Sequence, residues 1–159
     1  MRAGIGFDAH RFAPDRKLFL AGVQVPFERG LAGHSDADVA LHALMDAMLG
    51  ACGAGDIGEI FPDTDERFEN ASSLTLLGEV NRLVGERGFR VANADVVIIC
   101  ESPSVGPHRE RMRREIARAL GIDAGSVSVK GTTSEGMGFT GRGEGIASAA
   151  VVLLAETGE

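Results

Sequence analysis

The 159-residue sequence contains no tryptophan and no tyrosine, so its aromatic residues are eight phenylalanines. It therefore lacks the interleaved aromatic and basic residues that stack on nucleic acid, and its net charge of −7 repels a phosphate backbone or an anionic membrane surface. Cysteine is scarce too. Cys52 and Cys100 form neither a C-x-x-C pair nor a disulfide framework. This argues against thiolate zinc ligation, suits a reducing compartment and leaves each thiol as a small buried hydrophobe. No apolar run reaches the roughly 20 residues that span a bilayer. The longest, Ile146 to Ala155, is broken by Ser148. With no basic-then-apolar leader, a cytoplasmic protein is expected. Repeats and linkers are also missing, so residues 1–159 read as one domain, of a size that buries most of its apolar surface.

Glycine is abundant: the 22 residues are about twice the average usage of roughly 7%, and most fall in loops. The apolar pattern predicts short β runs over 2–10 and 17–27, forming an N-terminal hairpin or paired strands, separated by Pro14, Asp15 and Arg16. A helix follows with Ser35 as N-cap, Asp38 three residues on, and a glycine stop after Leu49. Residues 53–65 form a Gly- and Asp-rich loop. A helix over 72–87 carries Leu74, Leu77, Val80, Leu83 and Val84 at three- and four-residue spacing. Strands are expected over 91–100 and 127–133, with a helix over 107–120 between them that has Pro107 in its first turn. The run 146–156 fits helix or strand by pattern, and Val151-Val152 favours strand.

Chemistry enters with Asp8 and His10. On an extended strand these two point to one face, and His42 on the first helix supplies a third donor. Two imidazoles and one carboxylate suit Zn²⁺ with its fourth position left open. Asp38 and Asp46, four residues either side of His42 on the same helical face, are candidates to orient its second nitrogen, although a dipole role alone accounts for Asp38.

The loop Gly136-Met137-Gly138-Phe139-Thr140-Gly141 matches G-x-G-x-x-G after a strand. A dinucleotide fold needs a further helix, strand and acidic residue, and too few residues follow. Exposed N–H groups beside Thr132, Thr133 and Arg142 fit phosphate instead, and Glu135 is a hard oxygen ligand that could help hold Mg²⁺. The arginines of the 107–120 helix are interrupted by Glu110 and Glu115, so this face reads as solvated or intersubunit, with no nucleic-acid role.

Four stretches together resemble the 2-C-methyl-D-erythritol 2,4-cyclodiphosphate synthase family: Gly6-Phe7-Asp8-Ala9-His10; Gly33 to Asp38 leading to His42; Gly55 to Gly58 with Phe61 to Asp65; and Thr132 to Glu135 with Gly138 to Gly145. The resemblance implies a homotrimer of α/β single-domain subunits, each a mixed β-sheet backed by helices, with active sites between subunits. It implies Zn²⁺ or another divalent cation on Asp8, His10 and His42, and Mg²⁺ or Mn²⁺ held by Glu135 with the substrate diphosphate. His34, Thr133 and Glu135 would be catalytic. Ser35, Asp56, Gly58, Asp63, Cys100, Pro103, Gly131, Thr132, Thr133, Phe139 and Arg142 would bind substrate, with Cys100, Pro103 and Gly131 in the cytidine pocket. A cavity on the trimer axis would take an isoprenoid diphosphate near Arg142 and Glu144.

The implied reaction is closure of a cyclic diphosphate with expulsion of CMP, which needs no side-chain nucleophile and fits the lack of a Ser/His/Asp triad. Two departures stand out. Ser104, Val105 and Gly106 replace a Lys and a bulky apolar residue found in many relatives, and Gly131 and Gly136 replace larger residues found in some. A zinc phosphohydrolase and a trimeric nucleotide- or isoprenoid-diphosphate-binding protein use the same residues and stay open as rivals.

Overall fold

The computed structural model describes residues 1–158. A five-stranded mixed sheet runs in the order Gly30–Leu31 (β4), Arg2–Ala13 (β1), Gly145–Glu156 (β7), Phe89–Ile99 (β5) and Val127–Thr132 (β6). Strand β1 (Arg2–Ala13) pairs antiparallel with β7 (Gly145–Glu156) and, at its end, with β4 (Gly30–Leu31). Strand β5 (Phe89–Ile99) lies antiparallel to β7 on one side and parallel to β6 (Val127–Thr132) on the other. A parallel pair needs a crossover, and helix α4 (Arg109–Leu120) supplies it. Helices α1 (Val39–Cys52) and α3 (Ser73–Glu86) pack with α4 over the same sheet. The run 145–156 is therefore strand, as its two valines indicate.

The N-terminal pairing differs from the expected hairpin. Residues 17–27 split at Ala21-Gly22 into β2 (Leu18–Leu20) and β3 (Val23–Val25), which form a separate antiparallel pair. Both turn residues have positive φ, 50° and 80°, as a two-residue loop between twisted strands requires. Ala21 tolerates that strain because the Asp38 carboxylate accepts the N–H groups of Ala21 and Gly22 at 2.8 and 2.7 Å.

The same carboxylate accepts the Leu41 N–H at 3.1 Å and makes Asp38, not Ser35, the N-cap of α1. That helix also runs past Gly50 and ends at Gly53 in the left-handed conformation. The 53–65 loop contains a one-turn helix, α2 (Ile57–Ile60), capped by Asp56. Pro107 sits in a 3₁₀ turn (Gly106–His108) before α4 instead of inside the helix, and the 136–145 loop holds a short helix, α5 (Gly138–Gly141).

One sheet face is covered and the other is bare. Gly4 and Gly6 let β1 meet the α1 backbone directly, whereas the alternate residues Ile5 and Phe7 are 75% and 60% exposed. Val151, opposite Ile5 on β7, is 50% exposed. Isolated exposed apolar residues need no explanation, but a contiguous apolar strip on a sheet marks an interaction surface.

Candidate active site

Strand alternation and the close approach of β1 to α1 bring Asp8, His10 and His42 together. The Oδ2 of Asp8 lies 2.8 Å from Nε2 of His10 and 3.1 Å from Nδ1 of His42, and the two nitrogens are 3.1 Å apart. Tetrahedral Zn²⁺ with bonds of about 2.0–2.1 Å puts its donors roughly 3.3 Å apart, so a small expansion of this triangle accepts the ion. The donor chemistry fits as well. Nδ1 of His10 lies 2.6 Å from the carbonyl oxygen of Ala32 and must donate to it, which leaves the Nε2 lone pair toward the metal position. Three protein donors leave the fourth position for a ligand.

Electrostatics prepares the triad. Burial alone would raise the Asp8 carboxyl, but hydrogen bonds and charge from His10 and His42 outweigh it and hold the group well below the usual range. For His10, burial opposes the charged form and the Asp8 carboxylate favours it, with a net rise above 6.5.

Neither Asp38 nor Asp46 orients His42. Asp38 is consumed by the three backbone bonds already described. Burial and the nearby Asp36 charge push it up to about 6 against those bonds. Asp46 accepts the Ile57 N–H at 2.9 Å and so anchors α2. Its carboxyl is raised by burial and by neighbouring acids, despite that bond. The groups that reach Nε2 of His42 are the hydroxyls of Ser35 and Ser73, each at 3.2 Å. Ser73 carries no recognisable motif, and only the tertiary fold brings it here.

A cleft of about 250 Å³ opens beside the triad, lined also by His34, Gly58, Phe61 and Asp63. His34 is fixed through Nε2, 3.2 Å from the Asp65 carbonyl oxygen. Arg16 donates to the carbonyls of Gly33 and Ser35 at 2.9 and 2.7 Å, clamping the segment that carries His34. Sequence reading treated Arg16 only as turn punctuation. Asp56 serves locally as the α2 cap.

A second cleft of about 380 Å³ gathers Cys100, Pro103, Gly131, Thr132 and Thr133, and shares no lining residue with the first. Glu101, Ser104, Val105, Gly106 and Arg109 complete it, so a cation is present beside an acid although position 104 lacks one. The two departures at 105 and 131 form one packing unit, since a Cβ on Gly131 would lie 2.7 Å from Cβ of Val105. The Cys100 thiol, pushed up to about 11 by burial and by Glu101, stays protonated near neutral pH and donates to the Pro103 carbonyl.

Next to this cleft, Thr133 donates from Oγ1 to Glu135 Oε1 at 3.2 Å. Glu101, another residue the sequence did not single out, accepts the N–H groups of Ser134 and Gly136 at 3.1 and 3.3 Å and shapes the loop. Arg142 pairs with Glu144 at 2.9 Å in a separate groove. Phe139 is exposed and lines neither cleft.

An α/β chain whose Asp8, His10 and His42 could hold a metal ion, with one cleft beside them and a second elsewhere, defines the class as a single-domain protein with a candidate metal centre. The YgbB family model matches residues 1–155. The chain is 59% identical over 156 residues to the 2-C-methyl-D-erythritol 2,4-cyclodiphosphate synthase of Rubrobacter xylanophilus, covering 96% of this chain and 94% of that one. It is 54% identical over 154 residues to the synthase of the same name from Alkaliphilus oremlandii, covering 97% and 98%. Among solved structures, a CDP-bound 2C-methyl-D-erythritol-2,4-cyclodiphosphate synthase superposes with TM-score 0.89 at 39% identity, covering 97% of this chain and all of that one. The bifunctional IspDF of Campylobacter jejuni superposes with TM-score 0.94 at 44% identity, covering 99% of this chain and 43% of the longer protein. The chain belongs to the YgbB family, that of the 2-C-methyl-D-erythritol 2,4-cyclodiphosphate synthases.

Proposed function

We propose that the chain converts 4-diphosphocytidyl-2-C-methyl-D-erythritol 2-phosphate to 2-C-methyl-D-erythritol 2,4-cyclodiphosphate and CMP, as a phosphorus–oxygen lyase of the non-mevalonate isoprenoid pathway. Near end-to-end identity to synthases of that name carries the reading, and the paired clefts fit a substrate with a polyol phosphate at one end and cytidine at the other.

The 2-phosphate oxygen attacks the β-phosphorus. The bond from that phosphorus to the bridging oxygen breaks, and CMP leaves with the oxygen. The attacking group is already an anion, so the protein's task is to fold the substrate into line. Intramolecular reactions held this way reach effective molarities of about 10⁵–10⁸ M. Gly58 and Asp63, with Asp56 at the start of α2, hold the methylerythritol hydroxyls, and Phe61 excludes water beside them. His34 and Ser35 contact the reacting phosphates. Thr133 fixes the Glu135 carboxylate, and Cys100, Pro103 and Gly131 shape the cytidine pocket. When bound, Zn²⁺ on Asp8, His10 and His42 and Mg²⁺ or Mn²⁺ beside Glu135 supply Lewis-acid neutralisation of the phosphoryl oxygens.

A homotrimer belongs to the same reading. The bare strip of Ile5, Phe7 and Val151 gives neighbouring sheets an apolar face to bury, and clefts without a common residue meet when the second comes from the next subunit. Rotational closure of such head-to-tail contacts makes a ring. An isoprenoid diphosphate on the ring axis, with Arg142 as its cation, is tested by titrating farnesyl or geranyl diphosphate.

An open metal position would equally serve hydrolysis by activated water. Chromatography of the products decides: CMP and the cyclic diphosphate in equal amounts are expected, whereas CMP with the linear 2,4-bisphosphate, or release of orthophosphate, would make the chain a phosphohydrolase.

A further inference from the structure

Asp36 and Ser73 stand outside both the metal triad and the residues assigned to substrate. Ser73 is fully buried at the start of α3, and its hydroxyl lies 2.5 Å from Oδ1 of Asp36. The other carboxylate oxygen, Oδ2, accepts the Ser73 N–H at 3.0 Å. An ionised carboxylate only accepts, so the single hydroxyl proton of Ser73 points to Asp36. The Ser73 oxygen can then act toward His42 only as an acceptor, and Nε2 of His42 lies 3.2 Å away.

A proton on Nε2 leaves the lone pair on Nδ1, the nitrogen that faces Asp8 and His10. The competing tautomer puts the proton on Nδ1, donates it to Asp8 and leaves Nε2 as an acceptor. Ser35, also 3.2 Å from Nε2, has a hydroxyl able to serve that form. The Ser35 oxygen, which also accepts the Ala37 N–H at 3.2 Å, can serve either tautomer, whereas Ser73, with its proton committed to Asp36, serves only the form protonated on Nε2.

We infer that Asp36 and Ser73 are positioning residues that hold His42 in its metal-ready tautomer through a carboxylate–hydroxyl–imidazole chain. The inference rests on the metal reading above and extends it to two residues on separate elements. Partners of metal-bound imidazoles typically change affinity by about 10–100-fold when removed. With Ser73→Ala, the Ser35 hydroxyl is free to stabilise the wrong tautomer and zinc must pay to reverse it.

The test is competition of the folded protein against a chromophoric zinc chelator, with circular dichroism to verify the fold. Ser73→Ala is expected to bind zinc about 10–100-fold more weakly than the parent. A folded Ser73→Ala with parental affinity overturns the inference while leaving the metal site intact. A parent that binds no zinc overturns the metal reading itself. Long-range ¹H–¹⁵N spectra of the metal-free parent provide a readout that needs no variant: His42 protonated on Nε2 before zinc is added supports the chain, and protonation on Nδ1 refutes it.

Discussion

A Cβ on Gly6 would lie 1.9 Å from the carbonyl oxygen of Ala43, so β1 and α1 touch backbone to backbone there. Asp8 and His10 follow Gly6 on the strand, and His42 precedes Ala43 on the helix. The contact therefore sets the width of the metal triad. Overpacking commonly costs about 1–3 kcal/mol, and a clash with backbone has little room to relax. Gly6→Ala is expected to cost at least about 3 kcal/mol in urea unfolding and to abolish zinc binding in whatever folds. A variant with parental stability and zinc content would show that the interface yields.

Acid should weaken zinc binding. The neutral imidazole is the ligand, and Asp8 raises the His10 value above 6.5 despite burial. Below that raised value, affinity should fall about tenfold per pH unit. In the metal-free protein the sign reverses. The raised His10 contributes stability that is fully present below 6.5 and is lost as pH rises through its folded value. The lowered Asp8 contributes stability above 3.8 that is lost as pH falls through its folded value. Chelator competition and metal-free melting at about pH 5.5 and about pH 8 check both signs. A pH-independent zinc affinity would count against the triad.

Arg109 is the cation that lines the second cleft. Arg109→Ala should raise KM for the cytidylated substrate about tenfold, the loss of one charge-assisted contact, with kcat and zinc content kept. An unchanged KM would remove Arg109 from the nucleotide site.

The proposed sharing of each site between two subunits predicts complementation. His42→Ala disables the metal side, and Gly131→Val closes the second cleft against Val105. Each variant alone should be inactive. After subunit exchange, about a quarter of the sites in a head-to-tail ring combine two intact halves, and activity should return to that level. Continued inactivity of a verified mixed trimer would place each site within one subunit.

The metal triad was legible because two local periodicities, i to i+2 on a strand and a histidine on a helix, project donors predictably. Its orientation was not. Ser73 lies 31 residues after His42 and 37 after Asp36, separations that no local pattern encodes. Asp38 illustrates the same limit: helical spacing puts it four residues from His42, but it caps α1 from outside the helix and the β2–β3 turn claims its carboxylate. The strand pattern over 17–27 likewise could not reveal that β1 would choose β7, 152 residues distant in sequence at the Arg2–Leu154 pair.

The most direct test is ³¹P NMR of the protein with the cytidylated 2-phosphate substrate, Mg²⁺ and Zn²⁺, recorded beside His42→Ala. The account predicts equal growth of CMP and cyclic diphosphate signals with the parent and a static substrate spectrum with the variant. Orthophosphate, or an unchanged spectrum from the folded and metal-loaded parent, would contradict it.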